Sequence, residues 1–135
     1  MPTQEGPTIL VVDDERAIAD TLVLILKKEG FAASAAYNGK SALEQALTLK
    51  PALVITDVAM PGMNGIELAI SLKATNLGCQ LLLFSGHATT HELLEAAKEQ
   101  GHEFNILAKP IHPIQLLAHL QELGFHSQRA SRHQE

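Results

Sequence analysis

ILVVDDE, residues 9–15, carries four apolar residues straight into two adjacent carboxylates, Asp13 and Asp14. The apolar run starts one residue earlier, as TILVV (8–12), and shows no polar alternation, the pattern of a strand covered on both faces. Two negative charges at the end of such a strand either open the next helix or hold something positive. As a helix start, Asp14 is a natural N-cap and Asp13 decorates the first turn.

The same pattern recurs along the chain. A weaker run, FAASAAY (31–37), is followed by ALVIT (52–56), QLLLF (80–84) and FNILA (104–108), and these last three also read as strands buried on both faces. Between the runs the apolar spacing is helical. Ile18, Leu22 and Ile25 lead to a stop at Gly30, and Leu43 and Leu47 precede Pro51. Ile66, Leu68, Ile70 and Leu72 precede Gly78, and a fourth segment runs from about Thr90 to Gln100 before Gly101. A fifth follows Pro113, with Leu116, Leu117, Leu120 and Leu123 on one stripe up to Gly124. Five strand–helix units in series predict an α/β fold, a parallel sheet with helices on both faces and right-handed crossovers.

Bulk properties narrow the class. The 135 residues suit one domain with a single real core. Ten basic against fifteen acidic residues leave a net charge of −5, which argues against nucleic-acid or anionic-membrane partners. The lone Cys79 excludes an intrachain disulfide and a cysteine-built zinc site, and suits a reducing compartment. MPTQEGPT at the start has no apolar signal core, and no apolar run approaches the ~20 residues a membrane span needs. The expectation is a cytoplasmic domain over 8–124, between a flexible segment 1–7 and a polar tail 125–135.

In an open parallel sheet, ligands collect outside the carboxyl ends of the strands. The first run delivers Asp13 and Asp14 there, the third Asp57, the fourth Ser85 and the fifth Lys109, while the second delivers only Tyr37 and Asn38. Three converging carboxylates raise one another's pKa and need a cation to stay ionised together. Mg²⁺ resolves this, held by one or two carboxylates with waters and phosphate oxygens. A hydroxyl and an ammonium nearby then suit an anion on the far side of the metal, and a carboxylate can be the nucleophile that forms an aspartyl-phosphate. Taken singly, each residue also has a plainer reading: MPGMNG (60–65) and Ser85-Gly86 are turns, and Lys109 is a solvated lysine. His87 and His91 stand at i, i+4 without a third ligand and read as surface histidines; His112 and His119 are uncommitted.

The set VVDDE, DVAMPGMNG (57–65), FSGHAT (84–89) and LAKPIHP (107–113) resembles the receiver domain of bacterial two-component response regulators, over roughly residues 8 to 124. The resemblance implies a flavodoxin-like sheet of five parallel strands in the order 2-1-3-4-5 with five helices. It implies Asp57 as phospho-acceptor, with Ser85 donating to the phosphate and Lys109 clamping it. It implies Mg²⁺ held by Asp14 and Asp57, by Asp13 largely through water, and by the backbone carbonyl of Ala59. It also implies a cis Lys109–Pro110 bond, and places Ala59 and His87 where they would tune the phosphate's lifetime.

Two departures stand out. Receivers often carry Tyr or Phe three residues before the lysine, where this chain has Ile106 with Phe104 nearby, and the stretch from Gly101 to Lys109 is about one residue longer than usual. The expected function is a stand-alone switch, a monomer or weak dimer. It would be phosphorylated by a histidine kinase or phosphotransfer protein, signal through a protein–protein contact, and act as no enzyme beyond its own phosphotransfer and dephosphorylation. Three alternatives remain: a phosphorelay intermediate, a docking module, and a Mg²⁺-dependent phosphohydrolase with an Asp nucleophile. For the last, Glu15 two residues after Asp13 is a partial match to the haloacid dehalogenase pattern. No GxxxxGK[ST] or GxGxxG loop occurs.

Overall fold

The computed structural model describes residues 8–75, 78–86, 90–102 and 104–126. Strands and helices alternate: β1 (Thr8–Val12), α1 (Arg16–Lys28), β2 (Ala32–Ala36), α2 (Gly39–Leu49), β3 (Leu53–Asp57), α3 (Gly65–Ala74), β4 (Gln80–Ser85), α4 (Thr90–Glu99), β5 (Asn105–Ala108) and α5 (Pro113–Glu122). The strands form one parallel sheet, as the five strand–helix units predict, in the order β2-β1-β3-β4-β5 that the resemblance to receivers implies.

Alternation along each strand divides the core into two layers. Ile9, Val11, Leu53, Ile55, Leu82 and Phe84 point to one face and pack under α1 and α5, against Leu22, Leu26, Leu116 and Leu120. Leu10, Val12 and Val54 point to the other face, against Ala42 and Ala46 of α2 and Leu68 and Leu72 of α3. Leu83 meets Ile66 and Ala69 of α3 and Ala97 of α4 on that side. The aliphatic runs lack polar alternation because both faces of the central strands are roofed.

The α1 stripe is centred on Ala19, Leu22, Val23 and Leu26, with Ile18 and Ile25 half-buried against the same layer. Two local expectations need correction. β5 is not buried on both faces: as an edge strand it exposes Asn105 and Ala108 and buries only Leu107. Asp14 does not cap α1. The cap position is Glu15, with no side-chain bond, because the buried Asp13 carboxylate takes the Glu15 N–H at 2.9 Å and delays the helix by one residue. At the other end, Phe125 follows Gly124 back into the core and its N–H donates to the Leu120 carbonyl, so the packed chain extends to Phe125.

The register places the strand ends side by side. Val12 pairs with Ala36 and Thr56, Asp57 with Phe84, and Ser85 with Ala108. The ladder continues one step beyond the strands, since Asp13 N–H donates to Ala36 O and Lys109 N–H to Ser85 O. Asp13 and Asp57 therefore stand side by side at the carboxyl edge, with Ser85 one residue and Lys109 two residues beyond their row on β4 and after β5. The chain reverses its order between β1 and β3, so Asp13 and Asp57 stand on either side of the switch point.

Candidate functional site

Each element supplies its residue for an identifiable reason. β1 ends where Asp13 turns its Oδ1 to the Glu15 amide, which leaves Asp14 facing solvent beside it. β3 ends on Asp57, and the loop behind it closes through an Asn64 capping box on α3. Asn64 Oδ1 accepts from Glu67 N at 2.8 Å, and Glu67 Oε1 accepts from Asn64 N at 2.9 Å. Ala59 lies half-buried in that loop. Ser85 is buried at the end of β4, and Lys109 follows β5 at a cis Lys109–Pro110 bond.

Carboxylate oxygens of Asp13, Asp14 and Asp57 lie within 4.8 Å of one another. Lys109 Nζ reaches Asp57 Oδ2 at 3.3 Å and Asp13 Oδ2 at 3.4 Å. It also lies 3.9 Å from Glu15 Oε1 and 5.1 Å above the centre of the Phe84 ring. One ammonium thus faces three clustered carboxylates. Burial pushes the Asp57 carboxyl above its ordinary range, and the nearby Lys109 only partly opposes it. Burial also raises Asp13; the Glu15 N–H bond opposes this, the Asp57 charge adds to it, and Lys109 opposes it. For Lys109, burial pulls the ammonium down, but Asp57 and Asp13 outweigh it and the net shift is upward.

One detail distinguishes the two buried acids. Both Asp13 oxygens are engaged, with Glu15 N and Lys109 Nζ, whereas Asp57 Oδ1 is buried without a hydrogen-bond partner among the described residues. A buried carboxylate oxygen left without a partner is costly, and such groups call for an explanation. Three clustered oxygen ligands, a surplus of negative charge and an orphaned acceptor suit a hard divalent cation.

The sequence passed over two features. Tyr37, at the end of β2, donates to Asp20 Oδ1 at 2.6 Å and lies under Arg16 (4.1 Å from guanidinium carbon to ring centre), fastening β2 to α1. The aromatic at a strand end with Arg16 close behind Asp14 was the available signal. The second is the proximity of Glu15 to Lys109, legible only once the register is known. Phe104 and Ile106 share a face and pack in the same cluster. Ile106 pairs with Leu83, and Phe104 lies two residues earlier, stacked on His102 (ring centres 6.2 Å apart) with Lys73 Nζ 4.7 Å from its centre. His87 lies outside the described residues. Cys79 is half-buried and burial pushes its thiol up, which leaves it a poor nucleophile.

The site is thus an acidic crevice at the carboxyl edge of a five-stranded doubly wound sheet. Residues 9–121 match the family model of the response regulator receiver domain, and the chain belongs to that family. It is 36% identical over 118 residues to the uncharacterized transcriptional regulatory protein YesN of Bacillus subtilis, an alignment of 85% of this chain and 32% of that protein. It is 31% identical over 113 residues to the DNA-binding response regulator MtrA of Mycobacterium tuberculosis, covering 84% of this chain and 48% of that one. The chain therefore spans half or less of these relatives. Among solved structures, chemotaxis protein CheY4 of Vibrio cholerae superposes with TM-score 0.77 at 26% identity, covering 87% of this chain and 98% of that one. A two component transcriptional regulator AraC of Clostridium phytofermentans gives TM-score 0.76 at 30% identity, with 96% and 98% covered.

Proposed function

We propose that Asp57 accepts a phosphoryl group from a histidine kinase or phosphotransfer protein and that the domain passes this state on by protein–protein contact. The observation that carries the reading is the orphaned Asp57 Oδ1, the buried acid oxygen left unpartnered beside a lysine and two further carboxylates. An Asp57 oxygen attacks the phosphorus of the phospho-histidine. The P–N bond breaks and its electron pair returns to the imidazole. Asp13, Asp14 and Asp57, with the Ala59 carbonyl, would hold Mg²⁺, which when bound offsets the negative charge gathered at the transferring group. Lys109 is already between Asp13 and Asp57 and needs little displacement to meet a phosphate oxygen. Ser85, on the adjoining strand end, is the hydroxyl donor.

Asp13 is a weaker candidate for the nucleophile of a phosphohydrolase, because both of its oxygens are engaged and the acid two residues on, Glu15, is exposed. Downstream coupling of about 1–3 kcal/mol would shift a population of conformers rather than throw an absolute switch. The DNA-binding role of the longer relative MtrA is separate from the chemistry at Asp57; the domain's own net charge of −5 favours a protein partner.

The test is incubation with Mg²⁺ and acetyl phosphate or a phospho-histidine donor, read by intact mass. Wild type should gain one base-labile phosphoryl group, and Asp57→Asn should gain none. No adduct on wild type, or an adduct on Asp57→Asn, contradicts the proposal. Repeated turnover of phosphate esters points to the hydrolase.

A further inference from the structure

Asn38-Gly39 and Asn64-Gly65 open α2 and α3 in the same way: the Asn side chain caps, and Gly is the first helical residue. Neither glycine has a positive φ, so neither is required for its backbone freedom. What excludes a side chain is proximity. A Cβ on Gly65 would overlap the Asp57 carbonyl oxygen, while the Gly65 N–H donates to Val58 O at 2.9 Å. A Cβ on Gly39 would lie 2.8 Å from Met63 Cβ, 2.8 Å from Met63 O and 2.9 Å from Met63 Cγ. Gly65 closes the Asp57 loop on itself. Gly39 belongs to α2, which supplies nothing else to the crevice.

We propose that Gly39 is a positioning residue for the Asp57 loop, acting through Met63. The inference rests on the reading of the crevice as a Mg²⁺-dependent phospho-acceptor site. Met63 is half-buried on the apolar layer that includes Ala36, Ala42, Met60 and Leu68, so it cannot swing freely away from α2. The atoms that a Gly39 side chain would meet are the backbone oxygen and the Cβ of Met63, not the mobile end of its side chain. An added methyl group must therefore move the loop backbone. With the loop fixed at its other end by Gly65, that movement falls on the segment carrying Asp57 and the Ala59 carbonyl.

The experiment is a calorimetric Mg²⁺ titration of the full chain, with phosphorylation by acetyl phosphate followed in parallel. Gly39→Ala should weaken Mg²⁺ binding by roughly tenfold, the scale of losing a ligand's support, and slow phosphorylation to match. Gly78→Ala is the control: Gly78 has φ +76° with nothing within 4 Å of an added Cβ, so the change strains the start of β4 yet should leave Mg²⁺ affinity as in wild type. Met63→Gly alone should weaken binding by removing the support from the loop side. Combined with Gly39→Ala it should not restore the affinity, because the backbone oxygen at position 63 still stands 2.8 Å from the new methyl. Equal affinity in wild type and Gly39→Ala overturns the inference, as does an equal loss in Gly78→Ala. If Gly39→Ala does not fold, unchanged affinity in Met63→Gly overturns it. Absence of Mg²⁺ binding by wild type overturns the reading of the crevice, and this inference with it.

Discussion

Asp13 is fully buried and Asp57 is 3% exposed, and Lys109 is shared between them. Folding therefore favours the protonated form of both acids, since burial outweighs the lysine. An acid held above its ordinary pKa retains a proton that the unfolded chain has lost. The stability of the metal-free domain should then fall as pH rises from about 4 through the raised values of the two acids, and stay low above them. The contribution of Lys109, whose value is also raised, has the same sign at higher pH: it is present below the ordinary lysine value of 10.5 and lost as pH rises above it. It follows that Asp57→Asn, which removes one of the competing buried charges while leaving Asp13 and Glu15 for Lys109, should raise the metal-free melting temperature at pH 7 by about 3–5 °C. Thermal unfolding in EDTA at pH 4 and pH 7 measures this. A lower melting temperature for Asp57→Asn at pH 7 would mean that the Lys109 pairing outweighs burial. The identities of the charged residues were legible in the sequence because residue type at a strand end is a chemical statement. The unpartnered state of Asp57 Oδ1 was not, because it depends on where the Glu15 amide and Lys109 turn.

At the scale of the element, helix starts decide how the strand ends are presented. Asn64 caps α3 in a reciprocal box with Glu67, and Asn38 caps α2 by accepting from Ser41 N at 2.7 Å. Asn64→Ala should cost about 1 kcal/mol, measured as a lower urea midpoint with unchanged slope, since the Glu67 N–H loses its side-chain partner. No change in midpoint would show that the loop, not the cap, fixes the entry to α3. The turn chemistry of MPGMNG pointed to this start, and the apolar spacing gave all five helices. The errors lay where tertiary contact overrode local pattern. Asp14 has the composition of a cap, but Asp13 competes for the amide and the helix begins after Glu15. FNILA is as apolar as the central runs, but a strand's place at the edge is a property of the whole sheet.

For the whole molecule, parallel pairing in register gathers residues far apart in sequence at one edge of the sheet, with Asp13 beside Asp57 and Ser85 and Lys109 one and two residues further along. Five repeats of strand and helix identified that architecture from sequence, and the strand order came from the resemblance to receivers. The route from the site to the output face was far less legible. Ile106 and Phe104 fill the same cluster beside α3 and α4, and Phe104 is held by Lys73 and His102 at the start of β5, away from the site residues. Whatever the output, it depends on where the phosphoryl group is attached. Phosphorylate the full chain with acetyl phosphate and Mg²⁺, reduce the acyl phosphate with borohydride, and map the product by peptide mass. Homoserine at position 57, and at no other acid, is the expected result. Modification at Asp13 or Asp14, or an unmodified residue 57 in a protein that has gained a phosphoryl group, would contradict it.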